Sequence, residues 1–400
     1  MALLPVEEAL ARILTDVKPV AAEAVPLAEA PGRVLAEALK TRRDQPPFAA
    51  SAMDGYAVRT ADVAQAPVRL KTVGMAAAGH AFAGSVKEGQ AVRIFTGAPL
   101  PRGADAVVIQ ENATAETGFV TINQNARHGQ NVRNRGLDFK AGETLLAPGI
   151  DLNARDIGLA AAMNCATVRV RRKPLVAVIA TGDELVLPGQ RPRTDQIFSS
   201  NSHALAALAE HFGAKTLNLG IVADSLKATE RAIAKAAAAD IVVTSGGASV
   251  GDHDFVQEAL KRSGVKLDFW KIAMRPGKPF MYGRRGRQRV MGLPGNPVSA
   301  LVCARLFLKP LLDALLGLAG QPEPVMARLG APMKANDSRQ DYVRATLRQG
   351  PDGLRIAMPY ALQDSSMQRT LRESHCLIVR LPQAPAAAEG ELVPILPLDF

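Results

Sequence analysis

From Pro174 to Arg262 the chain alternates short, continuous apolar runs with helix-patterned segments, and this rhythm restricts its fold more than any other feature. Pro174 to Ala180 is apolar, as a strand is when both faces of its sheet are covered. Ser202 to Phe212 then reads as a helix, Lys215 to Val222 as a strand and Leu226 to Ala239 as a second helix. Ile241 to Thr244 is another buried strand, and Phe255 to Arg262 a third helix. This order predicts a central, doubly wound, mostly parallel α/β domain over residues 173–320. Ligands of such sheets bind beyond the carboxyl ends of the strands.

A length of 400 residues is too great for one ordinary core. Residues 41–141 contain glycine-punctuated strands at Val68 to Val73, Ala91 to Phe95, Ala106 to Gln110 and Phe119 to Ile122, which predicts a β-rich module. The first forty residues read as mostly helical, and Leu3, Val6, Leu10, Ile13, Leu14 and Val17 keep the spacing of an amphipathic helix. Asn153 caps a later helix, and Ala166 to Val170 is a strand returning toward the first segment. Residues 1–40 and 142–172 therefore predict one elongated helical and strand domain, with the β-rich part inserted in it. Gln321-Pro322-Glu323-Pro324 is a linker, and four short strands between Asp341 and Leu396 predict a small β-barrel-like domain over residues 321–400.

Lysine and arginine total 48 against 38 acids, a formal charge of +10 that favours anionic partners. The basic residues are dispersed and lack an RNA-binding aromatic signature, so solvated surface charge is preferred to a nucleic-acid interface. Cys165, Cys303 and Cys376 have neither zinc-ligand spacing nor a paired framework, which fits free thiols in a reducing compartment. Glu7 and Glu8 interrupt the first apolar stretch, and Arg305, Lys309 and Asp313 break the longest one. The expectation is a cytoplasmic protein with no signal peptide and no membrane span.

Chemistry is expected in four polar loops of the α/β domain. Thr181-Gly182-Asp183-Glu184 puts a turn-forming glycine and two acids after a buried strand, although Asp183 as a plain turn cap explains the spacing as well. Ser245 to Asp254, with Gly246, Gly247, Ser249 and Gly251, lets backbone N–H groups converge on an anion, but lacks the lysine of a phosphate loop. Arg275-Pro276-Gly277-Lys278 carries two cations on a stiff turn, and Pro294-Gly295-Asn296-Pro297 leads into a helix. Together they fit an anionic substrate and a hard metal: Glu184, Asp224 and Asp254 as Mg²⁺ ligands, with Lys271, Arg275 and Lys278 neutralising phosphate or oxyanion charge. The six histidines form no ligand cluster, and nothing points to a serine or cysteine nucleophile.

Taken in order, these loops resemble the molybdopterin molybdenumtransferase family, to which the C-terminal part of gephyrin belongs. The resemblance also rests on Ser51-Ala52-Met53-Asp54-Gly55-Tyr56-Ala57-Val58, Ile94 to Pro101, Gly103 to Val108, Arg135-Gly136-Leu137-Asp138 and Leu293 to Ser299, so it spans essentially the whole chain. It implies insertion of molybdenum from molybdate into adenylylated molybdopterin with Mg²⁺ and release of AMP. It further implies a homodimer whose cleft lies between the α/β domain of one chain and the inserted domain of the other. Asp54, Thr96 and Asp138 would then join Glu184, Asp224, Asp254 and Lys271 in catalysis. Lys278 would be the first choice for molybdate, with Arg344 and Ser365 at the same oxyanion site. A molybdopterin-adenylating enzyme and acceptor molybdoenzymes would be further partners. One departure is Arg275, where the family more often has lysine; arginine keeps the charge but presents a planar fork. Pterin adenylylation, a non-catalytic scaffold and nucleic-acid binding are the competing readings; retention of Asp54, Asp138, Glu184, Asp224 and Asp254 argues against the scaffold.

Overall fold

The computed structural model describes residues 3–246, 255–318, 325–350 and 353–400. Its centre is a sheet with the spatial order Lys215–Val222, Leu175–Thr181, Ile241–Ser245, Gln288–Leu293, Met281–Arg285 and Lys266–Trp270. The first four strands are parallel, and Met281–Arg285 runs against both of its neighbours. Val176, Val178, Ile241 and Val243 pack on one face with the helix Asn201–His211 and residues 297–316. Ala177, Ile179 and Val242 pack on the other with the helices Leu226–Lys235 and Phe255–Arg262. Fully burying such a valine or isoleucine is worth about 1.5–3 kcal/mol. Cover on both faces is why these strands read as unbroken apolar runs.

Beyond Leu14 the helical expectation for the first forty residues is corrected. Pro19, Pro26 and Pro31 interrupt any continuous helix. Ala22–Pro26 instead pairs antiparallel with Thr167–Arg171, burying Val25 in a cluster with Leu35, Leu152, Val168 and Val170. That pairing outweighs the helix preference of alanine and glutamate, since tertiary context overrides intrinsic propensity. The helix Val6–Leu14 does form, but its buried Val6, Ala9 and Ile13 belong to the core of the α/β domain. The Tyr282 hydroxyl donates to the Ile13 carbonyl at 3.1 Å and ties the helix there.

Between these segments lies a second six-stranded sheet, ordered Ala106–Ile109, Gly55–Val58, Gln90–Ile94, Val68–Ala76, Phe119–Ile122 and Ala113–Glu116. Two small apolar clusters flank it. Toward the C-terminus, Gln340–Gln349, Arg355–Pro359, Val325–Leu329, Leu392–Pro397 and Cys376–Arg380 pair in turn, and the last pairs back with the first. This closed five-stranded barrel leaves no free edge among its members. No helix among the described residues is long and apolar enough to cross a membrane.

Candidate functional site

Strand direction brings the expected loops of the α/β domain to one edge. Gly182 to Glu184 follow Thr181, Asp224 lies just after Val222, Gly246 follows Ser245 and Pro294 follows Leu293. Lys271 follows Trp270, and Lys278 precedes the antiparallel strand Met281–Arg285, so both sit at this edge too. A cavity of about 730 Å³ opens there, lined by Thr181, Glu184, Ser245, Gly246 and Pro294 to Pro297. Gly247, Ser249, Gly251 and Asp254 lie outside the described residues.

Tight backbone approach explains the glycines at two of these turns. Gly246 has φ +94°, and a Cβ there would stand 2.3 Å from the Thr181 carbonyl oxygen. Gly277 has φ +113°, and its Cβ would meet the Cys303 sulfur at 2.5 Å. Burial pushes the Cys303 thiol well above its ordinary range, so it is an inert packing group. Beside Gly246, the hydroxyls of Thr181 and Thr244 are buried without a hydrogen-bond partner among the described residues.

Asp183 acts as a cap between loops: its carboxylate accepts the backbone N–H of Asp224 at 3.1 Å. Glu184 is exposed and lines the cavity. Lys278 is exposed, and its side chain has no ion pair or hydrogen bond among the described residues. Lys271 stands with φ +75° and its ammonium 4.3 Å from the centre of the Trp270 ring. Arg275 is placed differently. Met274–Arg275 pairs with Gln340 and Asp341 of the barrel, and the guanidinium bonds Asp341 and lies 3.3 Å from Asp337. Its charge is committed to joining domains, and Pro276 and Gly277 turn the chain back toward Lys278.

The barrel also closes the cavity. Arg344 is only 1% exposed and donates to the Gln363 side chain and to the carbonyls of Asp364 (2.8 Å) and Met367 (3.2 Å). Desolvation lowers its pKa from the ordinary value for arginine. The loop it gathers reaches the sheet edge: Asn296 donates to the Ser365 hydroxyl at 2.9 Å, and Gln368 donates to Ser200 at 2.5 Å. Asn201 belongs to the same site, donating to the Ser245 hydroxyl at 2.8 Å and the Gly295 carbonyl at 2.7 Å. Neither Asn201 nor Gln368 was singled out by the sequence. The Ser199-Ser200-Asn201 start of a helix was the available signal for the first.

Within one chain, Asp54, Thr96 and Asp138 are not lining residues of this cavity. They lie in the inserted region, where Asp54 accepts the Thr96 N–H at 2.7 Å and its hydroxyl at 2.8 Å. These donors, the backbone one first, hold the Asp54 carboxyl below the usual carboxylate range. Asp138 is exposed, and its backbone N–H bonds the Gln45 carbonyl at 2.9 Å.

Comparison with known proteins decides what this arrangement belongs to. Residues 4–164 match the MoeA N-terminal region (domain I and II), 177–314 a probable molybdopterin binding domain and 326–398 the MoeA C-terminal region (domain IV). A molybdopterin molybdenumtransferase of Haemophilus influenzae is 35% identical over 99% of both chains. The chain belongs to the molybdopterin molybdenumtransferase family. A Nostoc member is 41% identical over 81% of this chain and 77% of its own. A molybdopterin biosynthesis MoeA protein from Pyrococcus horikosii, of solved structure, superimposes with a TM-score of 0.88 at 31% identity, covering all of both chains.

Whether this edge suits Mg²⁺ is testable on its donors. No group of three His, Cys, Asp or Glu side chains among the described residues is arranged to hold a metal alone. Mg²⁺ commonly uses one or two carboxylates and completes its shell with water and substrate phosphates. Glu184 at the cavity and Asp224 on the loop held by Asp183 are hard oxygen donors of that kind, so the residues fit.

Proposed function

We propose that this chain inserts molybdenum from molybdate into adenylylated molybdopterin, releasing AMP and forming the molybdenum cofactor. The observation that carries the reading is the polar cavity at the carboxyl edge of the sheet, found in a chain that matches this family along nearly its whole length. Water adds to the pterin-side phosphorus as the phosphoanhydride P–O bond breaks, and AMP leaves. The two dithiolene sulfurs bond to molybdenum, and displaced oxide leaves as water. Thr181, Ser245, Gly246 and Asn296 line the place where a bulky anion would lie, and Lys278 offers an uncommitted ammonium beside it. Glu184 and Asp224, with Asp254, would hold Mg²⁺, which supplies charge neutralisation on the cleaved phosphate. Arg344 acts here by holding Ser365 and Gln368 over the cavity. Arg275 fixes the barrel to the Lys278 loop.

The same reading includes a homodimer in which the Asp54–Thr96 corner and Asp138 of one chain complete the sheet edge of the other. That none of the three lines the cavity of its own chain is what supports it. It also includes a cytoplasmic location, in keeping with three free thiols, and exchange with a molybdopterin-adenylating enzyme and acceptor molybdoenzymes. The division into 1–40 with 142–172, 41–141, 173–320 and 321–400 belongs to it as well.

The direct test is AMP release from adenylylated molybdopterin with Mg²⁺ and molybdate, comparing the native chain with Glu184→Ala. Molybdate-dependent release that falls about 10²–10³-fold in the variant is expected. Tight pterin binding without release would indicate a scaffold, consumption of ATP an adenylating enzyme, and absence of binding would remove the proposal altogether.

A further inference from the structure

The opposite edge of the central sheet holds a second charged cavity, of about 270 Å³. Both chain crossings between the α/β domain and the elongated part line it. One is residues 16–21, between the helix Val6–Leu14 and the strand Ala22–Pro26; the other is Arg172, directly after Thr167–Arg171. Arg287 and Arg289, at the start of a central sheet strand, form the far wall.

Four cations, Lys18, Arg172, Arg287 and Arg289, face two acids, Asp16 and Asp240. Arg172 and Asp240 satisfy each other through two hydrogen bonds of 2.7 Å. Asp16 is turned out to solvent, its side chain 80% exposed. Three cations therefore remain. Arg289 is only 5% exposed and engages one nitrogen, donating to the Thr15 carbonyl at 3.2 Å. It has no carboxylate partner among the described residues, and neither Arg287 nor Lys18 makes an ion pair or side-chain hydrogen bond there. A guanidinium removed from water without a counter-charge is costly, and a bound anion relieves that cost. One water occupies about 30 Å³ of liquid, so this cavity accommodates a four-oxygen anion with bridging waters.

We propose that this cavity is a binding site for a small inorganic oxyanion of the phosphate class, held by Arg289, Arg287 and Lys18. By joining the residue 16–21 crossing to the sheet, the anion fixes the angle between the elongated part and the α/β domain. The site lies at the other ends of the strands from the proposed catalytic cavity and does not depend on that reading.

The test uses the full chain, without pterin or molybdate, titrated calorimetrically with inorganic phosphate at ionic strength held constant with chloride. A saturable site is expected. Lys18→Ala combined with Arg287→Ala should weaken it about tenfold or more, since each removes a charge-assisted contact. Both residues are exposed, and Arg287→Lys, which keeps the charge, should retain most of the affinity in an otherwise native chain. The binding that depends on Lys18 and Arg287 should persist in Lys278→Ala, and AMP should not compete with it. Absence of saturable binding overturns the proposal. So does binding lost in Lys278→Ala but kept in the double variant, which would place the anion at the catalytic edge. Competition by AMP that is equally sensitive to Arg287 would assign the site to a nucleotide and overturn the inorganic ion.

Discussion

The α/β domain and the inserted β-rich region each carry residues expected to serve one reaction, and they hold them in opposite ways. In the α/β domain the residues come from several loops, and the cavity exists because parallel strands end together and a barrel loop lies over them. In the inserted region Asp54 and Thr96 form a corner complete in itself, with both donors already on one carboxylate oxygen. The first arrangement makes a space for a ligand; the second makes a preset charge. A preset charge becomes useful only against another surface, which is the physical content of the proposed dimer.

Mixing two inactive chains is the sharpest way to break this contrast. Glu184→Ala and Asp54→Ala should each reduce AMP release about 10²–10³-fold. If each cleft takes Glu184 from one chain and Asp54 from the other, a mixed dimer has one intact cleft. Equal mixing after subunit exchange should then recover roughly a quarter of native activity. No recovery despite demonstrated exchange would mean that each chain completes its own site, and the inserted corner would need a different role.

A smaller effect separates two cations three residues apart. Lys278→Ala should reduce molybdate-dependent release about tenfold to a hundredfold through lost charge stabilisation, with an unchanged melting temperature because the side chain is exposed and unpaired among the described residues. Arg275→Ala should show the reverse balance. It leaves Asp341, 12% exposed, without its cation and should cost about 1 kcal/mol of stability. Calorimetry and kinetics on both variants check the split; a kinetic loss in Arg275→Ala that exceeds its thermal loss would return that residue to the oxyanion site.

How far this was legible in the sequence differs along the same lines. The α/β rhythm and its edge loops were readable because burial on both faces writes an unbroken apolar run, and topology alone then gathers the strand ends. The different fates of Arg275 and Lys278 were not, since the partners Asp337 and Asp341 are more than sixty residues away in the chain. Arg344 carried the same limitation: a buried arginine that gathers a loop and an exposed one that binds an oxyanion look identical as letters. Ala22–Pro26 was misread because its composition suits a helix while its partner Thr167–Arg171 lies beyond the inserted region. The Asp54 corner was recognisable only through the resemblance, as nothing in its spacing announces that Thr96 would donate to it.

The smallest effect tests whether that corner stores charge or only shape. Thr96→Val removes the hydroxyl donor at 2.8 Å and keeps the backbone N–H at 2.7 Å. Asp54 has a folded-state pKa below its unfolded one. Its stabilisation is thus fully present above the unfolded value of about 3.9 and is lost as pH falls through the folded value. Removing one donor should move the Asp54 pKa back toward that unfolded value. The variant should accordingly melt slightly below the native chain near neutral pH, and the gap should close as the medium is acidified through the carboxylate range. Thermal melts across that range, with carboxyl carbon shifts to follow Asp54 itself, provide the measurement. A gap that persists in acid would show that the threonine contributes packing, and the inserted region would lose its description as a preset charge.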